Sequence, residues 1–212
     1  MRVPARLLWT SLAVSIALLT FHSGHPAAFA VSGPTWAQPQ TPYYVNGANL
    51  DLPAPGAVDA VRAGADTWRL QAGAFRFAYA GSSTQASTAN DGINLVVFRN
   101  ASSGSAIATT YWWSSGARIV DADIVFWDGG FRFFAGSSGC SAGFYIEDIA
   151  AHEFGHALGL LHSTSPEATM YPSASYCDTR LRSLDTDDIA GVQTLYPVTA
   201  PPPVPTGLRI VR

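Results

Sequence analysis

A chain of 212 residues, 48% hydrophobic and only 13% charged, can bury a sizeable core, which excludes global disorder, and its length suits one domain. Its formal net charge of -3, with no Lys/Arg cluster beyond the N-terminal segment, excludes a general attraction for nucleic acid or acidic lipid.

The first thirty residues read as a targeting segment. Arg2 and Arg6 precede an apolar run, Leu7 to Phe21, and Ala28-Phe29-Ala30 ends on the small-x-small pattern that signal peptidases cut. The run is shorter than the roughly 20 apolar residues a membrane span needs. The chain is therefore expected to be cleaved near Ala30 and exported as a secreted, soluble monomer free of the membrane. Cys140 and Cys177, the only cysteines, lie in the exported part. In an oxidising compartment such a pair is expected to be a disulfide, and neither cysteine has the spacing of a metal site.

Trp36 to Pro55 is rich in Pro, Tyr and Asn and reads as extended chain with turns. Pro55-Gly56 opens a helix in which Val58, Val61, Ala65 and Trp68 fall at helical spacing, and Gly73 stops it. Phe75, Phe77 and Tyr79 alternate with other residues as in a half-buried strand, and a polar loop follows from Gly81 to Asp91. Ile93 to Phe98, Ile107 to Trp113 and Ile119 to Trp127 are further strands, the last followed by Asp128 and carrying Asp121 and Asp123 among apolar residues. The pattern predicts a twisted sheet with a helix across one face. After Gly/Ser-rich chain from Gly129 to Ala142, a second helix is predicted from about Tyr145 to Gly159. Irregular chain then leads to an N-cap at Asp185 with a carboxylate at Asp188, and a last helix to Tyr196. Residues 198–212 form a Pro-rich tail or linker, leaving 31–197 as the folded domain.

The segment His152 to His162 reads H-E-F-G-H-A-L-G-L-L-H. His152 and His156, four apart on a helix, share a face and can offer imidazoles to one metal ion. Glu153 is turned about 100° away, placed to reach a water without occupying the coordination sphere. His162 would lie about 15 Å beyond His152 on a continued helix, so it can join them only if the chain doubles back. Gly159 stands where that reversal is needed, because it tolerates positive φ. Three neutral imidazoles leave one tetrahedral position of Zn²⁺ open for water, the arrangement of a catalytic site. Glu153 is then the candidate general base, passing the water's proton to a leaving amine. The only other histidines, His22 and His25, fall in the targeting segment. With ordinary histidine values, metal binding and activity are expected to fail on acidification through about pH 6.

H-E-x-x-H-x-x-G-x-x-H resembles the zinc signature of the metzincin peptidases, whose second mark is a methionine turn. Met170, in Ala-Thr-Met-Tyr-Pro, matches that mark. Ser163, the Met-Tyr-Pro triplet and Leu184 to Tyr196 resemble the matrixin branch, weakly over Trp36 to Pro197 and strongly over Ile149 to Tyr196. The resemblance implies an α+β zincin-like fold: a twisted, mostly parallel sheet, two long helices including the active-site helix, the Met-turn, and a small C-terminal subdomain with a terminal helix. It also implies a zinc endopeptidase with one catalytic Zn²⁺ and peptide or protein substrates, the extracellular matrix among the settings of such enzymes.

The sequence departs from the family in instructive ways. Matrixins usually hold a second, structural zinc through histidines, and the exported part has none to spare, so that zinc is expected to be absent. Family members often bind Ca²⁺, for which Asp121, Asp123 and Asp128 are candidate ligands; solvation of a strand edge is the competing reading. Asp148, one turn before His152, either shapes the specificity pocket or supports a ligand histidine. No room exists between Ala30 and Trp36 for the cysteine-bearing propeptide that often keeps matrixins latent, so activity is expected without maturation. Two other functions fit the same residues: a catalytically silent secreted binding module, and a zinc amidohydrolase acting on other amides.

Overall fold

In the computed structural model, residues 27–198 are described apart from Ala74. The apolar run of the targeting segment and the Pro-rich tail from 199 onward lie outside these residues. No described helix is long and apolar enough to cross a membrane.

Among the described residues, eight strands and three helices follow one another as β1 (Thr35–Trp36), β2 (Gln40–Asn46), α1 (Ala54–Asp66), β3 (Arg76–Ser82), β4 (Asn94–Phe98), β5 (Ala108–Ser115), β6 (Arg118–Phe126), β7 (Phe133–Phe134), β8 (Phe144–Tyr145), α2 (Ile146–Leu158) and α3 (Thr186–Leu195), with a 3-10 turn at Arg180–Arg182. The main sheet runs β1-β6-β4-β2-β3, every pairing along it parallel, and β5 adds an antiparallel edge to β6. β7 and β8 form a separate short parallel pair, β7 inside chain that reads as Gly/Ser-rich loop and β8 just after it.

β2 is the strand that local composition conceals. Its seven residues bury Thr41, Tyr43 and Val45 and place it between β3 and β4. Pro42 is tolerated there, but three polar or aromatic neighbours hide the alternation, and partners rather than propensity make it a central strand. α1 also ends sooner than its periodicity suggests, at Asp66. The chain turns there so that Trp68, 1% exposed, can donate its indole N–H to Ala151 O at 2.8 Å.

α1 and α2 cross at close range. A Cβ on Gly64 would lie 2.5 Å from Ala150 Cβ and 2.7 Å from Glu147 O, so only glycine permits this approach. Phe154 of α2 enters the core between Tyr43 and Phe77, with ring centroids 5.1 and 5.0 Å away. A smaller cluster of Leu95, Val97 and Val125 covers the other face of the sheet. The architecture is α+β: a mostly parallel sheet, two long helices packed together, and a small C-terminal subdomain carrying α3.

Candidate metal centre and cleft

α2 is oriented by burial of Phe154, which turns His152, Glu153 and His156 the other way, toward a cavity of about 410 Å³. The helix ends at Gly159 with φ 101°, and Leu160 N–H returns to Gly155 O at 3.0 Å. The left-handed residue reverses the chain as the motif requires. Residues 28–32 then run beside the outgoing segment: Ser32 N–H donates to Gly159 O, Leu161 N–H to Ala30 O and Thr164 N–H to Ala28 O. Ala28 and Phe29 N–H also meet the Asp187 carboxylate. Cleavage after Ala30 would remove these contacts and those of Ala28 and Ala30, leaving Ser32 N–H on Gly159 O to steady the stretch that delivers His162.

The three imidazoles converge. Their ring centroids lie 4.8, 5.4 and 4.9 Å apart, and one nitrogen from each falls within 4.8 Å of the others. His152 Nδ1 lies 2.7 Å from Thr169 O and His156 Nδ1 lies 2.8 Å from Leu160 O. A carbonyl only accepts, so both Nδ1 atoms carry the proton and both Nε2 lone pairs are left for a ligand. Burial pushes His152 and His156 down to about 4 and lowers His162 as well. Neutral nitrogens at neutral pH, already aimed at one point, fit Zn²⁺ with an open fourth position.

Glu153 is buried, and burial raises its carboxyl above the ordinary carboxylate range; His156 and a hydrogen bond from Thr110 act in the opposite direction. Thr110 Oγ of β5 lies 2.6 Å from Glu153 Oε2 and 3.0 Å from Glu153 O. Thr110 stands in a run that reads simply as strand, and no sequence signal marks this contact.

Met170 is 1% exposed and packs against Gly155 of α2, where a Cβ would collide with its sulfur. The turn around it is anchored by α3. Asp188 accepts the N–H groups of Thr169 at 2.7 Å and Met170 at 3.0 Å, and also that of Asp185, its own N-cap. The cap expected from sequence thus reaches beyond its helix. A chain of contacts runs from Asp188 through Thr169 to His152.

Cys140 and Cys177 are bonded, tying the loop before β8 to the wall beyond Met170. Asp148 supports no histidine. It binds Arg182 at Nε, 2.8 Å, and at Nη2, while Arg182 Nη1 lies 3.1 Å from Glu147. This pair sits behind Ile149 and Leu181, which line the cavity.

Asp121, Asp123 and Asp128 are not gathered around a point. Asp121 accepts Asp91 and Gly92 N–H, Asp123 accepts Ala89 and Leu95 N–H, and Asp128 accepts Leu50 N–H. Asp121 and Asp123 are fully buried, so the strand-edge solvation reading is overturned: these carboxylates hold loops onto β6. Among the described residues, the three histidines are the one group of three or more His, Cys, Asp or Glu close enough to hold an ion.

A family model described as Matrixin matches residues 35–197. Over 67 residues, 32% of this chain and 14% of the relative, it is 48% identical to neutrophil collagenase of Homo sapiens. Matrix metalloproteinase-20 of Homo sapiens is 54% identical over 54 residues, 26% of this chain and 11% of the relative. Macrophage metalloelastase of Oryctolagus cuniculus is 52% identical over 48 residues, 23% and 10% of the two chains. The matches thus span between 10% and 14% of the length of these relatives.

Proposed function

The chain belongs to the matrixin family, and on that footing we propose that it is a secreted zinc-dependent endopeptidase in which His152, His156 and His162 hold the metal and Glu153 is the general base. The observation that carries the reading is the meeting of three ligand nitrogens within 4.8 Å beside a buried carboxylate, all in one cavity. Zn²⁺ bound there supplies an activated water and polarises the scissile carbonyl.

β5 supports the substrate half of the proposal. It pairs with β6 along one edge only, and Ser105 to Thr110 line the cavity opposite Tyr171 to Ala174. An extended peptide laid along the free edge of β5 gains main-chain hydrogen bonds while its reacting bond lies over the histidines. The cavity wall includes Ile149, Ala174 and Leu181, which suit an apolar substrate side chain.

Glu153 Oε1 takes a proton from the attacking water and returns it to the leaving nitrogen. Burial raises its carboxyl, the direction that strengthens it as a base. Secretion rests on the sequence of Met1 to Ala30 and on the disulfide, which belongs to oxidising compartments.

The test is cleavage of an unstructured protein, abolished by a chelator and restored by Zn²⁺, with Glu153→Ala beside the wild type. The variant is expected to keep its zinc and its fold while turnover drops about 10²- to 10⁴-fold, the range for removal of a general base. Loss of zinc in step with activity would assign Glu153 to the metal instead.

A further inference from the structure

Thr110 joins β5, one wall of the cleft, to α2 at the atom that matters most for the proposed chemistry. Its one hydroxyl faces two acceptors, Glu153 Oε2 at 2.6 Å and Glu153 O at 3.0 Å, across a sequence separation of 43. A hydroxyl has one proton to donate. The ionised carboxylate is the stronger acceptor, and 2.6 Å is the length of a charge-assisted O–H···O⁻ bond. The proton therefore points to Oε2. The side-chain hydrogen bond from Thr110 goes to Oε2, and Glu153 lines the cavity.

We propose that Thr110 is a positioning residue for Glu153: its hydroxyl fixes Oε2 so that Oε1 stands ready in the cleft. This rests on the reading of Glu153 as the general base. The last torsion of a glutamate is broad, without sharply defined wells, so an unheld carboxylate would present either oxygen over a range of angles. Proton transfer needs one oxygen at hydrogen-bond distance from the water and then from the leaving nitrogen. The main-chain oxygen completes the device. Once Glu153 has accepted a proton and lost its charge, the half-buried hydroxyl still has an acceptor at 3.0 Å.

The geometry also separates this role from simple attachment of β5 to α2. Attachment acts on ground-state structure and would show in stability and substrate binding. Positioning acts on the reacting oxygen and would show in kcat.

The experiment compares Thr110→Val, Thr110→Ala and Thr110→Ser with the wild type and with Glu153→Ala, all loaded with Zn²⁺. Valine keeps the shape and the strand preference of threonine and removes only the hydroxyl. The Val and Ala variants are expected to lose kcat about tenfold, which is about 1.4 kcal/mol of barrier, with KM within twofold, zinc content unchanged, and the thermal midpoint lowered only by the few degrees that one lost hydrogen bond costs. Thr110→Ser is expected to recover most of the loss. Crystals of metal-free Thr110→Val should show the Glu153 carboxylate in more than one orientation, a readout independent of turnover. Wild-type kcat in both Val and Ala variants overturns the proposal, as does a serine variant no better than valine, or a loss that follows KM or the thermal midpoint. If Glu153→Ala remained active, the general-base reading would fail and Thr110 with it. If Glu153→Ala were inactive while Thr110→Val matched the wild type, only the role of Thr110 would fall.

Discussion

His152 and His156 differ from surface histidines in one physical respect: burial makes the charged imidazole expensive. Their folded values near 4 lie well below the ordinary 6.5, so between those limits the folded chain refuses protons that the unfolded chain would take up. For these two groups the sign is clear. Their contribution to stability is present above 6.5 and is lost as pH falls through about 4. The same shift moves the competition between protons and metal. A window near pH 6, expected from ordinary histidines, shifts down accordingly. Protein dialysed at pH 5 should therefore keep its zinc, with release approaching pH 4. Metal content measured after dialysis across this range checks the point, and half-loss near pH 6.5 would show that burial does not govern the ligands.

The helix α3 is held to the site by its own first turn. Asp188, which sequence marks as an ordinary N-terminal carboxylate, spends its oxygens on the Met-turn N–H groups as well as on its N-cap. Thr169 then passes the constraint to His152 through its carbonyl. Hydrogen bonds to a charged acceptor contribute about 1.5–3 kcal/mol each, and those from buried donors are costly to leave unmade. Asp188→Ala should accordingly lower unfolding stability by about 3 kcal/mol and weaken zinc binding together. Urea unfolding and a competitive metal titration would show both effects. A stability loss with unchanged zinc affinity would mean that the Met-turn keeps His152 in place without α3.

Across the whole molecule, the cleft has a rigid wall and a tethered one. β5 is fixed by the sheet, whereas Tyr171 to Ala174 belong to chain with little regular structure. The Cys140–Cys177 bond and the Cys177 N–H to Gly143 O bond of 2.8 Å secure that second wall to the approach of α2. Closing a loop with a sequence separation of 37 is worth about 4 kcal/mol in the chain-entropy picture. Replacing both cysteines by serine should remove about that much stability and raise KM, since the freed wall borders the substrate. An unfolding midpoint indifferent to reductant would place the constraint elsewhere, in the Arg182–Asp148 pair behind the same wall.

The three-histidine cluster that we propose as the metal site was legible in sequence alone, because the two-histidine spacing is a property of one helix and Gly159 announces the reversal that brings in His162. The same holds for the α3 cap and for strands β3, β4, β5 and β6, whose composition and alternation are local. What a buried polar group touches is not local. β2 became a central strand only when β3 and β4 closed on it. Asp121 and Asp123 found backbone N–H groups in a loop some thirty residues away, where neither calcium ligation nor solvation had been distinguishable. Asp148 took Arg182 rather than a histidine, and Thr110 of β5 met Glu153 of α2. Periodicity reports which face of an element is apolar, a decision made within a turn or two of chain. The partner of a buried carboxylate or hydroxyl is whichever donor or acceptor the completed fold places beside it, and that choice is made only when distant segments come together.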